Sequence, residues 1–333
     1  MVTIVNYRER YQSDLEKLQP EMARELRMHP DVVRETACVA LSDGVFIGAG
    51  FLAEANPYRV DAGDEQVRYL RAEFAVLPGC DEEAEASILL LEELQYRFDR
   101  LRATDGRKPV MRVWVKSEDT AYTELLFDEG FRVGSVMTVM ARDIDETDEW
   151  LEDETAEVLA EENRGPAYEP LLADDADLAS QAETDIELRE FYDSESEWRQ
   201  YFAANARSFG EPDSENEMRF RLKNPNAHVW VAIADDRLVA AASTWPVADG
   251  VYATENIFCD PDYRRKGITT RLLKYVFGKL YDAEARCARL TVYGDNLPAI
   301  RLYRKLEYSV AYELLEMHYY GKADRRENED EDI

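Results

Sequence analysis

Hydrophobic and polar positions along the chain change period repeatedly, and each change marks the edge of an element. Residues 37–43 (ACVALSD) and 45–55 (VFIGAGFLAEA) read as two strands around a turn at Asp43 and Gly44. Residues 68–79 (RYLRAEFAVLPG) predict a third strand, closed by Pro78 and Gly79. The period then lengthens. Apolar side chains at Ala86, Leu90, Leu94, Phe98 and Leu101 predict one long helix over about 82–101. A strand at 110–116, a short helix at 120–130 and a closing strand at 132–141 complete the series.

The second half repeats that order. Helical stretches are predicted at 177–191 and 195–208. Residues 228–236 and 237–245 form a predicted hairpin around Asp235 and Asp236, and 251–259 (VYATENIFC) is the next strand. A helix over 268–280 follows, with Ile268, Leu272, Val276 and Leu280 on one face. Then come a strand at 288–294, a helix at 297–306 and a closing strand at 311–320. The fold class this implies is α/β in the mixed α+β sense: two domains, each a mixed, mostly antiparallel sheet flanked by helices. The 333 residues agree, since a domain takes roughly 100–200.

Charge then sets the boundaries. Between Asp143 and Asn163 there are 11 acids and no bases, which reads as a linker. The expected organisation is a first domain at 1–142, an acidic linker at 143–170, a second domain at 171–320 and an acidic tail at 321–333. Over the whole chain 70 acids oppose 40 bases, for a net charge of -30. Such a field repels nucleic acid and anionic lipid, so neither is an expected partner. Nine of the bases are Lys and the rest Arg. The acids are spread along the chain, which fits adaptation to a salt-rich, halophile-like cytoplasm better than one acidic docking surface.

The remaining exclusions are brief. No apolar run reaches the ~18 residues of a membrane span, and the first residues carry charges where a secretion signal is apolar. The expected location is cytoplasmic. Cys38, Cys80, Cys259 and Cys287 are scattered, as are His29, His228 and His318. Neither a zinc site nor a disulfide framework is expected.

The segment from Asp260 to Arg271 carries the candidate chemistry. It lies between a predicted strand and an amphipathic helix. The start of a helix offers about four unpaired N–H groups and a partial positive charge, which together attract phosphate. Gly267 removes a side chain where backbone must approach a ligand. Arg264, Arg265 and Lys266 gather three cations in a strongly anionic chain, and Thr269 and Thr270 add hydroxyls. The segment is neither a GxxxxGK[ST] loop nor a GxGxxG turn.

Here the sequence resembles the GNAT N-acetyltransferase superfamily. Its pyrophosphate signature, Gln/Arg-x-x-Gly-x-Gly/Ala, reads Arg264-x-x-Gly267-x-Thr269 in this chain. Its second signature, N-x-x-A-x-x-L-Y-x-K-x-G-F/Y, is matched at Asn296, Ala299, Leu302, Tyr303, Lys305 and Tyr308. Thr269 and Glu307 depart from the pattern. The resemblance implies two GNAT-like domains in tandem, the second an acetyl-CoA-dependent N-acetyltransferase that needs no metal. It places acetyl-CoA on Arg264, Arg265, Lys266, Gly267, Ile268, Thr269, Thr270 and Asn296. It also places the pantetheine arm along the strand at Ile257, Phe258 and Cys259.

An alkylammonium has a pKa near ~10.4 and must lose a proton before it attacks. Glu255, on the strand that the resemblance lines up with the cleft, is the candidate base, directly or through water. Tyr303 matches the family tyrosine that lies near the cofactor sulfur, and is the candidate acid for the leaving thiolate. Direct transfer in a ternary complex is implied. The acceptor is a primary amine, either a small molecule or a protein amino group.

The first half lacks these parts. Asp81, Glu82, Glu83 and Glu85 crowd the start of its long helix, where they would repel phosphate. Counting from Phe131 as from Tyr308 puts Leu126 in the place of Tyr303 and Asp119 in that of Asn296. The expectation is a degenerate copy that packs against the active half as a pseudo-dimer or shapes the acceptor site, in a protein that is a monomer by this internal pairing or a homodimer. A second reading is an acyl-CoA sensor without chemistry.

Overall fold

The computed structural model describes residues 1–28, 35–54, 67–102, 108–148, 185–210 and 215–321. His29, residues 177–184, most of the predicted linker and nearly all of the tail lie outside the described residues. The described chain divides into two compact units, Met1–Met137 with Glu313–Ile333, and Thr138–Tyr312.

The first unit begins with β1 (Val2–Asn6), α1 (Gln12–Leu18) and α2 (Pro20–Met28). None of these was predicted. β2 (Cys38–Ser42), β3 (Val45–Glu54), β4 (Val67–Val76), α3 (Glu83–Arg102), β5 (Lys108–Lys116), α4 (Thr120–Asp128) and β6 (Arg132–Asp143) follow, as the periodicity predicts. β1 to β4 pair antiparallel in order, and β4 pairs parallel with β5. Leu90, Leu94 and Phe98 of α3 bury against Leu70, Met111 and Val113 on one face of this sheet. Leu15, Met22 and Leu26 cover Ala49, Phe51 and Ala53 on the other.

The second unit has the same order: β7 (Glu187–Glu190), α5 (Glu195–Phe209), α6 (Glu215–Arg221), β8 (His228–Ala234), β9 (Arg237–Ala248), β10 (Val251–Cys259), α7 (Ile268–Asp282), β11 (Cys287–Tyr293), α8 (Leu297–Lys305) and β12 (Ser309–Tyr319). The helix predicted over 177–191 is corrected here. Residues 187–190 form a strand that pairs antiparallel with β8. Ile186 and Leu188 both join the core, a spacing of two that belongs to a strand. Residues of α7 such as Leu272, Val276 and Leu280 pack on Ala232, Ala240 and Ala242 of the sheet.

The hairpin turns show how local sequence sets register. Asp43 and Gly44 both have positive φ (48° and 84°), as do Asp235 and Asp236 (51° and 58°). Two successive left-handed residues form the tight turn whose twist matches its strands. Asp235 is further held by the Tyr263 hydroxyl at 3.0 Å.

The closing strands do not stay within the expected halves. Residues 314–319 of β12 pair antiparallel with β5, from Leu314 opposite Lys116 to Tyr319 opposite Met111. The C-terminal strand therefore completes the sheet of the first unit. β6 is divided likewise, and its residues from Thr138 onward belong to the second unit. β12 brings Glu316 and His318 into the first unit as buried groups. Glu316 lies 3.0 Å from Arg112 Nε and 2.6 Å from His318 Nε2, and accepts from Ser135 Oγ at 3.2 Å. Burial opposes the Glu316 charge. The His318 contact and the Arg112 guanidinium outweigh it and hold the carboxyl below its usual value.

Among the described residues no helix is long and apolar enough to cross a membrane. No group of three or more His, Cys, Asp or Glu gathers among them as metal ligands would.

Candidate active site

β10 supplies the frame of the site. It pairs parallel with β11 only from Val251 opposite Cys287 to Ala253 opposite Arg289. Beyond Ala253 the two strands part. On its other edge β10 runs antiparallel to β9, with a bulge between Glu255 and Phe258. Asn256 takes φ of 49° there. A bulge bends a strand and re-aims the side chains around it. Ile257 and Cys259 consequently pack toward α7 and α8. Phe258 turns the other way, edge-on to Tyr201 at 5.3 Å. From Glu255 to Cys259 β10 has no register partner on β11, the arrangement in which an extended amide-bearing chain finds backbone donors and acceptors.

The phosphate cradle follows directly. Asp260, buried, caps a single turn at Pro261–Tyr263 by accepting from Asp262 N at 3.0 Å. Arg265 and Gly267 both have positive φ (62° and 71°). Alternation of this kind turns successive backbone N–H groups toward one concavity, a form that suits anions. Gly267 is the N-cap of α7, and no side chain caps that helix start. A Cβ built on Gly267 would meet nothing within 4 Å, so the space above the helix start is open.

The predicted cradle residues divide by what they can offer. Lys266, Arg265 and Gly267 are exposed, and Thr269 and Thr270 half-buried. The Arg264 guanidinium donates to Cys259 O at 3.1 Å and to Ser208 O at 3.3 Å. Arg264 thus ties the cradle to the ends of β10 and α5. Ile268 and Phe258 are buried in two different cores, so each can meet a ligand only through its backbone. The Cys259 thiol is pushed up by burial, against a hydrogen bond with Thr269.

α8 carries Tyr303. Asn296 caps this helix by accepting from Ala299 N at 3.3 Å, a structural task that leaves only its amide N–H₂ to donate elsewhere. Tyr303 is buried, and burial pushes its phenol up to about 12. Its hydroxyl has no hydrogen-bond partner among the described residues. Its ring meets Tyr308 edge-on at 5.8 Å. The Tyr308 hydroxyl lies 3.0 Å from Thr254 Oγ1, which in turn donates to Arg289 O at 3.4 Å. This chain of contacts pins α8 to β10 where the strands part.

Glu255, next to Thr254, faces the opposite side of the sheet. It is partly exposed and lies 3.6 Å from Arg221 of α6. Arg221 stacks 4.4 Å over the Trp245 ring. Sequence reasoning missed Arg221 because α6 is short and lacks a clear apolar stripe. It quoted Tyr308 as a motif residue without a task.

The comparisons bear on this arrangement. Residues 188–308 match the model of the acetyltransferase (GNAT) family. They form a GNAT acetyltransferase domain. An alanine N-acetyltransferase of ribosomal protein bS18 from Salmonella typhimurium is 34% identical over 95 residues, which are 28% of this chain and 62% of that protein. The chain thus spans less than two thirds of that relative. A GCN5-related N-acetyltransferase from Sphaerobacter thermophilus superposes with a TM-score of 0.63 at 18% identity, covering 96% of this chain and 95% of its own. A tandem GNAT protein from the clavulanic acid biosynthesis pathway gives 0.59 at 15% identity, over 96% and 98% of the two chains. At these identities the likeness shows the fold, which is that of GNAT proteins along nearly the whole chain.

The GNAT pattern also explains Glu307. It stands where the family motif has Gly and adopts φ of 65°. Tyr308 N bonds back to Tyr303 O at 3.0 Å, the closure of a helix end that favours Gly at this place. Glu307 keeps the backbone form without the glycine, and its carboxylate lies 3.5 Å from Arg142.

In the first unit the equivalent places hold other groups. Gly79 has φ of 75° ahead of α3, but its N–H donates to the Glu83 carboxylate at 2.7 Å. Glu82 accepts from Ser42 Oγ at 2.7 Å. β3 and β4 pair without a bulge from Gly48 opposite Val76 to Glu54 opposite Leu70. Leu126, fully buried, stands where α8 has Tyr303.

Proposed function

We propose that the protein transfers an acetyl group from acetyl-CoA to a primary amine by direct attack in a ternary complex, at one site in the second unit. The observation that carries this reading is the junction of the open, uncapped α7 start with the parting of β10 from β11. One feature fits a pyrophosphate and the other an extended pantetheine arm, and they are continuous through Cys259. The cofactor-binding set is backbone of Ile257, Phe258, Cys259, Gly267 and Ile268, with Arg265, Lys266, Thr269, Thr270 and the Asn296 amide.

The acceptor enters as an ammonium. Glu255 takes its proton, directly or through water, and the freed lone pair attacks the thioester carbonyl. The carbon–sulfur bond then breaks, the thiolate leaves toward the Tyr303 hydroxyl, and the acylated nitrogen releases its second proton to solvent. A phenol near 12 stays protonated at neutral pH. Handing its proton outright to a thiolate whose thiol ionises near ~8.5 would run uphill by about 5 kcal/mol. Tyr303 therefore acts by donating a hydrogen bond to the sulfur, and solvent supplies the final proton.

The first unit is read as a copy that does not hold acetyl-CoA. Glu83 at the helix start, the regular β3–β4 register and Leu126 support this. The acceptor class is a primary amine. The relative acts on a protein alanine, so a peptide with N-terminal alanine is the first acceptor to test. The anionic chain would draw cationic amines toward it, less so at high salt.

Thermal unfolding in molar KCl with and without acetyl-CoA tests the first step. At about 100 times the dissociation constant, binding adds roughly 2.7 kcal/mol. At ~2–4 °C per kcal/mol, that is a shift of about 5–11 °C. No shift at any salt would sink the reading. A shift without transfer to any amine would leave the sensor reading in its place.

A further inference from the structure

Ser243 lies on β9 directly opposite Glu255, and on its other side opposite Val229 of β8. It is 1% exposed, and its hydroxyl has no hydrogen-bond partner among the described residues. Cross-strand partners point to the same face of a sheet, so the hydroxyl shares the face of Glu255. Its other neighbours there are Val229, Ala241 and Trp245. Among these described strand neighbours Glu255 is the one carboxylate. The pair is the last in register before the bulge.

A buried hydroxyl with no partner costs stability, and such groups are rare enough to call for a reason. An alanine at this place would pack against Val229 and Ala241 without that cost. The hydroxyl and the carboxylate belong to cross-strand neighbours and are not bonded to each other, and a water molecule can join polar groups that do not reach each other directly.

We infer that Ser243 is a positioning residue for proton transfer, holding the water through which Glu255 takes the proton of the acceptor ammonium. The amine loses one proton to that water as the water gives one to the carboxylate, and the pair is charge-balanced throughout. This rests on the acetyltransferase reading and deepens it at the base. Arg221, beside Glu255 and stacked on Trp245, bounds the same patch.

The test compares wild type, S243A, E255Q and the double variant with acetyl-CoA and two probes, spermidine and a peptide with N-terminal alanine. S243A is expected to unfold at the same temperature as wild type or a few degrees higher. Its kcat should fall about tenfold or more, with KM for acetyl-CoA unchanged. Losing a hydrogen-bonded water from the charged carboxylate should move the acid limb of its pH profile upward. In the E255Q background S243A should add little, because the two act as one unit. A structural serine would give the reverse, a lower unfolding temperature and an unmoved pH limb. Wild-type transfer with S243A kinetics equal to wild type would overturn this inference alone. So would an S243A loss of equal size with and without Glu255. Absence of wild-type transfer would overturn the acetyltransferase reading and this inference with it.

Discussion

Leu126 and Tyr303 hold the same station on equivalent helices. Each is buried on a helix capped by a side chain, Asp119 accepting from Tyr122 N and Asn296 from Ala299 N. Each is followed by a left-handed residue, Gly130 or Glu307, and then by a buried aromatic, Phe131 or Tyr308. One helix plan thus serves two ends, a core leucine in one unit and, in the other, a phenol with no hydrogen-bond partner among the described residues.

Substitution should separate these ends. Tyr303→Phe removes a hydroxyl that has no hydrogen-bond partner among the described residues, so stability should change by less than about 1 kcal/mol. Its kcat should fall about 100-fold while acetyl-CoA still raises the unfolding temperature. Leu126→Ala should cost about 2–5 kcal/mol through the cavity it leaves, with turnover per folded molecule unchanged. Calorimetry beside initial rates reads both.

Gly267 tests the cradle. Its positive φ makes any side chain there strained by about 1 kcal/mol, and a Cβ would project into open space. Gly267→Ala should still fold and should lose most of the acetyl-CoA-induced rise in unfolding temperature. Retention of the full rise would place the cofactor elsewhere. Arg264 is a weaker probe, because its guanidinium braces the backbone at Cys259 and Ser208.

Glu307→Gly should stabilise the protein. The left-handed backbone costs a non-glycine residue roughly 1–2 kcal/mol, and the exposed contact with Arg142 returns about 0–1 kcal/mol. A net gain near 1 kcal/mol corresponds to about 2–4 °C in Tm. A fall in Tm would mean the Arg142 contact outweighs the strain.

The exchanged strand predicts where stability resides. Glu316 is 2% exposed and faces the buried Arg112. Glu316→Ala leaves that guanidinium unpaired and should cost about 3–5 kcal/mol, seen as a loss of roughly 6–20 °C in Tm. By the same argument residues 1–142 alone lack the strand that pairs with β5. They should fail to fold unless residues 143–333 are supplied in the same cell.

Alkaline pH should destabilise the fold. Burial raises the Tyr122, Tyr303 and Tyr308 phenols, Tyr303 to about 12. Above the unfolded value near ~10 the unfolded chain sheds protons that the folded chain keeps. Their contribution is full below pH ~10 and is lost as pH climbs through the folded values. Tyr303→Phe should shrink this loss. Stability unchanged between neutral pH and about 12 would contradict the burial of these groups.

Much of this was legible in the sequence. The 3.6-residue stripes of α3 and α7 are long, and Asp43-Gly44 and Asp235-Asp236 mark their turns plainly. The cradle was legible because Gly267, its three cations and the helix behind it are contiguous. What escaped was set by tertiary contact. Residues 186–190 hold only two apolar side chains, Ile186 and Leu188, too few to fix a period. β12 reads as a strand wherever it goes, and nothing in its pattern says that it pairs with β5. The bulge at Asn256 leaves no local mark, yet it decides which of Ile257, Phe258 and Cys259 face the site. Ser243 and Glu255 come together only through register.

The most direct measurement is the mass of an alanine-initiated peptide and of spermidine after incubation with acetyl-CoA in molar KCl, with wild type and Tyr303→Phe side by side. The account predicts that wild type adds one acetyl group to an amine and releases free thiol in equal amount, while Tyr303→Phe binds acetyl-CoA and barely turns over. Wild type that binds acetyl-CoA yet acetylates no amine, or Tyr303→Phe that works as fast as wild type, would contradict it.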